Sequence, residues 1–346
     1  MQITDYRESL FDYCRRIFAV DSPSGYTANV MSLIRQIAEG LEYSFALTRK
    51  GCAVITIEGR SAEKTVGLSA HVDTLGAMVR SVTSDGQLKF TPVGGPLLPT
   101  LDGEYCKIRT RSGETYTGTI LSLSPAAHVY DDSRSRPRDA DNMAVRIDEK
   151  VKTAEDVKAL GIEAGDYIFL DPKTTVTPSG FLKSRFIDDK GSVACLMTAL
   201  KIMREENLVP EYRTRFFISA YEEVGHGASW IPEDLSELVA VDMGCIGLDL
   251  NCTEYDVSIC AKDSGGPYDY ELTSRLVRLA KENGLSYAVD IYPFYGSDVG
   301  AALSAGHDIK GGLIGPGVHA SHGMERTHAE GMENTIRLAL LYLGCR

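Results

Sequence analysis

The chain has 346 residues, 43% of them hydrophobic and 24% charged, with a formal net charge of −12. That length supports a full core in one large domain or two modest ones, and the acidity argues against phosphate backbones and anionic lipid surfaces, so neither nucleic acid nor membrane is an expected partner. No apolar run is long enough for a transmembrane helix, and Met1-Gln2-Ile3-Thr4-Asp5 has neither the basic start nor the apolar core of a signal peptide. Eight cysteines lie scattered without a CxxC pair, so they read as reduced, mostly buried thiols and the expected location is cytoplasmic.

The first forty residues predict two amphipathic helices. Phe11, Cys14, Ile17 and Phe18 mark one face, Val30, Leu33, Ile34 and Ile37 another, and Gly40 supplies a stop. Short apolar runs at 53–57 and 65–70 predict strands. From about 76 to 180 the pattern is β-rich, with hairpin turns at Ser84-Asp85-Gly86 and Arg111-Ser112-Gly113 and a polar loop at 130–138. This stretch reads as an all-β module inserted into the chain. Beyond 185 helices and strands alternate: a helical stripe from Val193 to Met203, strands at 216–220, 238–241 and 257–260, a helix from Leu272 to Asn283-Gly284, and a closing helix with Ile336 and Leu340. Such alternation predicts an α/β fold, its mainly parallel sheet covered on both faces.

Ligand-type side chains sit just past the predicted strands, where open α/β sheets assemble their sites. His71-Val72-Asp73 follows the strand at 65–70, Glu222-Glu223 follows 216–220, and Asp242 follows 238–241. His71 suits a metal with Asp73 holding its imidazole, although a surface His beside a carboxylate is the more ordinary reading of these residues by themselves. Asp188-Asp189 opens a helix, where an acidic first turn is a common structural device, yet a carboxylate there can also bridge two ions. Adjacent Glu222 and Glu223 repel unless a cation or a proton intervenes, which predicts Glu223 as a ligand and Glu222 as a base. Three histidines, His319, His322 and His328, crowd the C-terminal part. Nitrogen and carboxylate donors without cysteine suit zinc, cobalt or manganese.

The order His-x-Asp, Asp, Glu-Glu, Asp, His resembles the co-catalytic aminopeptidase and carboxypeptidase superfamily. Spacing narrows it: 117 residues separate His71 from Asp188, room for the β-rich insert, but only 19 separate Glu223 from Asp242 and 80 separate Asp242 from His322. An insert in the first gap is similar to metallopeptidase family 42, the glutamyl, deblocking and tetrahedral aminopeptidases. Pro23-Ser24-Gly25-Tyr26, Gly161-Ile162 with Gly165-Asp166, and Gly296-Ser297-Asp298 resemble its landmarks.

The resemblance implies a three-layer phosphorylase/hydrolase-like catalytic domain of residues 1–75 and 181–346. It also implies an inserted small β-barrel of 76–180 that serves oligomerisation and walls the substrate chamber. It implies two divalent metal ions, one held by His71, Asp188 and Asp242, the other by Asp188, Glu223 and His322. Asp73 would orient His71, and Glu222 would be the general base for a metal-bridging hydroxide. The implied activity is removal of the N-terminal residue of small peptides by a homo-oligomer, from dimer to dodecamer. The chain departs from the pattern at Thr74, where a Glu is usual, and after His322, where Gly323-Met324-Glu325 replaces a proline; His319 is the rival ligand. An amidase or deacylase acting on a specialised small amide is the alternative reading. A non-catalytic assembly protein is disfavoured by the intact set of ligands and base.

Overall fold

Leu10, Phe11, Cys14, Ile17 and Phe18 are buried along one face of α1 (Arg7–Phe18), and Val30, Met31, Ile34 and Ile37 along α2 (Ala28–Gly40), as a 3.6-residue apolar period requires. The computed structural model describes residues 3–346. After α2, β1 (Ser44–Leu47) and β2 (Ala53–Ile57) form an antiparallel hairpin. Strand β3 (Ser61–His71) is buried over its last seven residues, as a central parallel strand must be.

Residues Leu75–Pro172 form a compact unit of their own. Strands β4 (Gly76–Val82), β5 (Leu88–Val93), β6 (Tyr105–Arg109), β7 (Thr115–Ser122), β8 (Met143–Ile147) and β9 (Tyr167–Leu170) close into a barrel of order β4-β5-β8-β7-β6-β9. Closure leaves no unpaired edge. Leu88, Phe90, Ile108, Ile120, Val145 and Ile168 fill it. The turn between β6 and β7 needs the positive φ of Gly113, 104°. A short helix α3 (Ala154–Ala159) carries a reciprocal cap between Thr153 and Asp156.

The other unit joins the N-terminal segment to Lys173–Arg346. The chain thus returns earlier than the sequence pattern predicts. β10 (Thr175–Val176) pairs with β11 (Phe181–Ser184), and β11 with the distant β19 (Glu325–His328), so residues 173–180 belong to the larger unit. Its remaining elements are α4 (Ile187–Glu205), β12 (Tyr212–Ser219), β13 (Leu235–Val241), β14 (Gly244–Cys245), β15 (Val257–Asp263), β16 (Gly266–Pro267), α5 (Tyr270–Glu282), β17 (Tyr287–Ile291), α6 (Asp298–Ser304), β18 (Lys310–Val318) and α7 (Ala329–Tyr342).

The main sheet runs β1-β2-β12-β3-β13-β18-β15-β16, with β14 on β18 and β17 on β15. Its centre, β12-β3-β13-β18, is parallel. Successive residues of a strand face opposite sides. A Cβ on Gly311 would meet Val299 of α6, and one on Gly312 would meet Leu272 of α5, so helices cover both faces. Helix α4 is buried without interruption from Ile187 to Leu200, which is why its apolar residues run all round rather than in a stripe. The architecture is the mixed α/β fold that the sequence pattern predicts, with the closed barrel that the resemblance implies.

Candidate metal centre

Three adjacent parallel strands deliver the predicted side chains to one edge. His71 is the last residue of β3, in register with Ser219, the last residue of β12. Glu222 and Glu223 follow β12 in a short 3-10 turn. Asp242 follows β13 on the other side of β3. Asp188 enters from the start of α4, where it and Asp189 have non-helical backbones and a cis peptide joins them. They are therefore not the ordinary acidic first turn that a helix dipole would favour. His322 comes from the loop between β18 and β19 in a left-handed conformation, φ 62°, a rare backbone for a non-glycine residue that clusters at functional sites.

Asp188 stands between the two imidazoles. Its Oδ1 is 3.2 Å from His71 Nε2, and its Oδ2 is 3.3 Å from His322 Nε2. Around His71 Nε2 lie Glu222 Oε2 at 3.7 Å and Asp242 Oδ2 at 4.0 Å. His322 Nε2 is 3.7 Å from Glu223 Oε2. His319, by contrast, is exposed and exchanges main-chain hydrogen bonds with Arg326. His328 is tied to Ser179 O and to the rings of Phe181 and Tyr255.

Asp73 differs from its expected role. The bond that orients His71 runs from Nδ1 to the main-chain oxygen of Asp73 at 2.9 Å, while the carboxylate is 3.6 Å away. That carboxylate instead accepts Ser24 Oγ–H at 2.6 Å and the main-chain N–H groups of Glu222 and Glu223 at 3.1 and 3.2 Å. It thus anchors the double-glutamate turn while staying within ion-pair range of the histidine. Thr74, where a Glu would be usual, pairs its N–H with Ser22 O.

Three further carboxylates belong to the site. Asp189 is buried and accepts His71 N–H through Oδ2 at 3.2 Å. Glu325 is buried and accepts the N–H groups of Asp188 and His322, each at 3.0 Å. Asp298 accepts Ala228 N–H at 3.0 Å. The sequence signal for Asp189 and Glu325 was adjacency, to Asp188 and to the histidine cluster, whereas Asp298 stands within the Gly296-Ser297-Asp298 landmark.

So many buried acids cannot all ionise without a cation. Burial, then Asp188, pushes the Glu223 carboxyl well up. Burial, then Asp242, does the same to Asp189, and burial with Asp188 brings Asp242 to about 7. Glu222 is raised by burial and by Asp242 and Asp298, against the pull of His71. Burial and Asp188 lift Glu325 to about 8. Against its own burial, the His71 imidazole is pushed well up by Asp188 and Glu222. Against burial, Asp188 stays below the usual carboxylate range through His322 and His71.

Glu223 Oε1 is buried without a hydrogen-bond partner among the described residues. A buried charged oxygen left bare is costly, and a cation is the partner it needs. Donor atoms of His71, Asp188 and Glu223, and of His71, Asp189 and Asp242, fall within 4.8 Å of one another. The residues fit hard or borderline divalent ions.

The family model described as M42 glutamyl aminopeptidase matches residues 51–338. The protein YhfE of Bacillus subtilis (strain 168) is 43% identical over 342 residues, covering 99% of each chain. The solved structure of the aminopeptidase APDkam598 of Desulfurococcus kamchatkensis superposes with a TM-score of 0.87 at 19% identity, covering 98% of this chain and 95% of that one. The TET1 peptidase of Pyrococcus horikoshii, described as assembling into a tetrahedron or a large octahedral shell, gives 0.82 at 20% identity, covering 95% and 98%. These two structures share the fold.

Proposed function

The chain belongs to the M42 glutamyl aminopeptidase family, metal-dependent hydrolases of peptide bonds, and from that premise we propose that it removes the N-terminal residue of small peptides with Glu222 as general base. We assign one divalent ion to His71, Asp188 and Asp242, and a second to Asp188, Glu223 and His322. The nitrogen and oxygen donors suit zinc, cobalt or manganese. When bound, such ions supply Lewis acidity to the scissile carbonyl and acidify water.

The remaining work belongs to the chain. The Glu222 carboxylate takes a proton from the attacking water and, as the carboxylic acid, returns it to the leaving amine. Asp73 fixes the turn that aims Glu222, through the two N–H groups its carboxylate accepts. Glu325 holds Asp188 and His322 at their main chains, so that both can face one centre.

The observation that carries this reading is the placement of Asp188 between His71 and His322, with Glu222 3.7 Å from His71 Nε2. The test is metal-loaded enzyme on matched dipeptides with free and acetylated N-termini. Hydrolysis confined to free amines supports an aminopeptidase. Equal rates on both would move the reading to an amidase or deacylase.

We also propose a homo-oligomer, from dimer to dodecamer, that uses the barrel unit. Large apolar side chains exposed on that unit, Leu97, Tyr105 and Val129, support it. Among the described residues no helix is long and apolar enough to cross a membrane. The free state of all eight cysteines supports a cytoplasmic location.

A further inference from the structure

A cavity of about 720 Å³ opens beside Glu222. Its wall is built from the turn after the double glutamate (Gly225, Ser229), the β15–β16 hairpin and the length of α6 with the residues that lead into it. That volume accommodates the longest natural side chains. The small residues at its rim leave room, and the chemistry of the lining decides what enters.

The lining contains two carboxyl groups, Glu222 and Asp263, and no lysine, arginine or histidine. Asp263 is 4% exposed. Its Oδ1 accepts Gly265 N–H at 2.8 Å, and its Oδ2 accepts Tyr268 O–H at 2.6 Å. Tyr268 in turn contacts Ser297 Oγ at 2.8 Å. This network fixes the carboxylate without neutralising it, since every partner is an uncharged donor. The ammonium group nearest in sequence, Lys262 Nζ, is engaged with the main-chain oxygen of Asp263 and lies outside the lining.

A substrate carboxylate seated beside Asp263 would leave water and gain no lysine, arginine or histidine partner from the lining. It would also face the fixed carboxylate of Asp263, of its own sign, so desolvation and repulsion act together against it. An ammonium group there gains a fixed counter-charge. A small neutral side chain meets Ser264, Ser297 and Ala301 without either effect.

We infer that this cavity receives the side chain of the substrate's first residue and, through Asp263, selects an uncharged or cationic one against a carboxylate. The inference rests on the aminopeptidase reading and deepens it. It also separates this chain from what the words glutamyl aminopeptidase in its family description would imply.

The test compares kcat/KM of metal-loaded enzyme for alanyl, lysyl and glutamyl p-nitroanilides. Alanyl and lysyl substrates are expected to exceed glutamyl by about 100-fold. Glutamyl cleavage equal to or faster than both overturns the inference while leaving the aminopeptidase reading intact. Selection is also read without turnover, from the melting shift that lysinamide or glutamic acid α-amide produces in the holoenzyme. An equal or larger shift with the glutamyl amide overturns the inference whatever the hydrolysis assay shows.

Asp263→Asn is expected to lower the lysyl-to-glutamyl ratio by at least about tenfold. A merely structural role would scale all substrates alike and leave the ratio fixed, which counts against Asp263. Ala301→Lys adds a cation to the wall without touching the Asp263 network, and should shift the ratio in the same direction. An unchanged ratio in a folded Ala301→Lys variant shows that the side chain binds elsewhere.

Discussion

The carboxylate of Asp73 accepts the main-chain N–H of Glu222 at 3.1 Å, so the proposed base is aimed through its own backbone, by a bond its side chain takes no part in. Glu222→Gln should therefore fold and keep its metal, since the anchoring bond does not involve the side chain. Turnover should fall by about 10²–10⁴, the usual contribution of a general base. Glu223→Gln shares the same anchor but should lose one metal equivalent. Steady-state kinetics and elemental analysis of the two variants decide it; near-normal kcat in Glu222→Gln would remove the residue from the base role.

Metal stoichiometry separates the crowded histidines. His322 Nε2 faces Asp188 and Glu223, whereas His319 is exposed. Wild-type enzyme should approach two equivalents after gentle loading, His322→Ala one, and His319→Ala two. Loss of an equivalent in His319→Ala with none lost in His322→Ala would reverse the assignment.

Lys50 offers a test of how the catalytic turn is braced. Its ammonium, at the tip of the β1–β2 hairpin, donates to Ser229 Oγ at 2.9 Å, to Gly227 O at 3.3 Å and to His226 O, and lies 5.6 Å from the centre of the Tyr221 ring. The hairpin is itself registered on β12, the strand that leads into the turn. Gly227 has no room for a Cβ against Ser219 Oγ. Lys50→Met should lower kcat about tenfold, as expected for a base held off its aim, with metal content unchanged and partial recovery in Lys50→Arg. Faster hydrogen exchange at residues 226–229 should accompany the loss. Unchanged kcat with only a lower melting temperature would make Lys50 a structural residue.

How much of this was legible follows from what each residue depends on. His71, Asp242 and the double glutamate could be read because each ends a run of apolar strand residues, a local pattern with a known destination at the sheet edge. Asp189 and Glu325 could not. Asp189 has the same local sequence context as an acidic helix start, and only the non-helical backbone turns it inward. Glu325 reaches Asp188 because β19 returns to pair with β11, a contact across more than a hundred residues that no local period encodes. The same pairing moved the boundary of the insert from about 180 to Pro172. The β-rich character and hairpin turns of the insert were local, but its closure order, with β8 between β5 and β7, was not.

Assembly through the barrel predicts a surface effect. Tyr105 is 66% and Val129 74% exposed, both large apolar groups on the same unit. Placing a charge at either position desolvates it in any interface while leaving a free surface content. Tyr105→Glu or Val129→Glu should yield a smaller assembly by light scattering, with metal content retained. An unchanged mass for both would locate the contacts on the larger unit.

Acid stability should carry the signature of Glu237. This buried carboxylate of β13 receives Lys64 Nζ at 2.7 Å, Tyr342 O–H at 3.2 Å and the guanidinium of Arg275, which ties β13 to β3, α5 and α7. Burial alone would raise its pKa, but the hydrogen bonds and charges of Arg275 and Lys64 outweigh it and hold the group below the ordinary value of 4.5. A carboxylate depressed in the folded state contributes stability that is complete above the unfolded value and is lost as pH falls toward the folded one. At pH 7, Glu237→Gln should cost about 1–3 kcal/mol, the scale of a charge-assisted hydrogen-bond cluster with partly exposed partners. In the melting temperature that is a few degrees, about 2–4 °C per kcal/mol for a chain of this class. The gap between wild type and variant should stay constant from neutral pH down to about 5, then narrow as the wild-type group protonates. Melting curves at pH 7, 5 and 3 read it directly, and a gap that widens toward pH 3 would show that the carboxylate is not depressed in the folded protein.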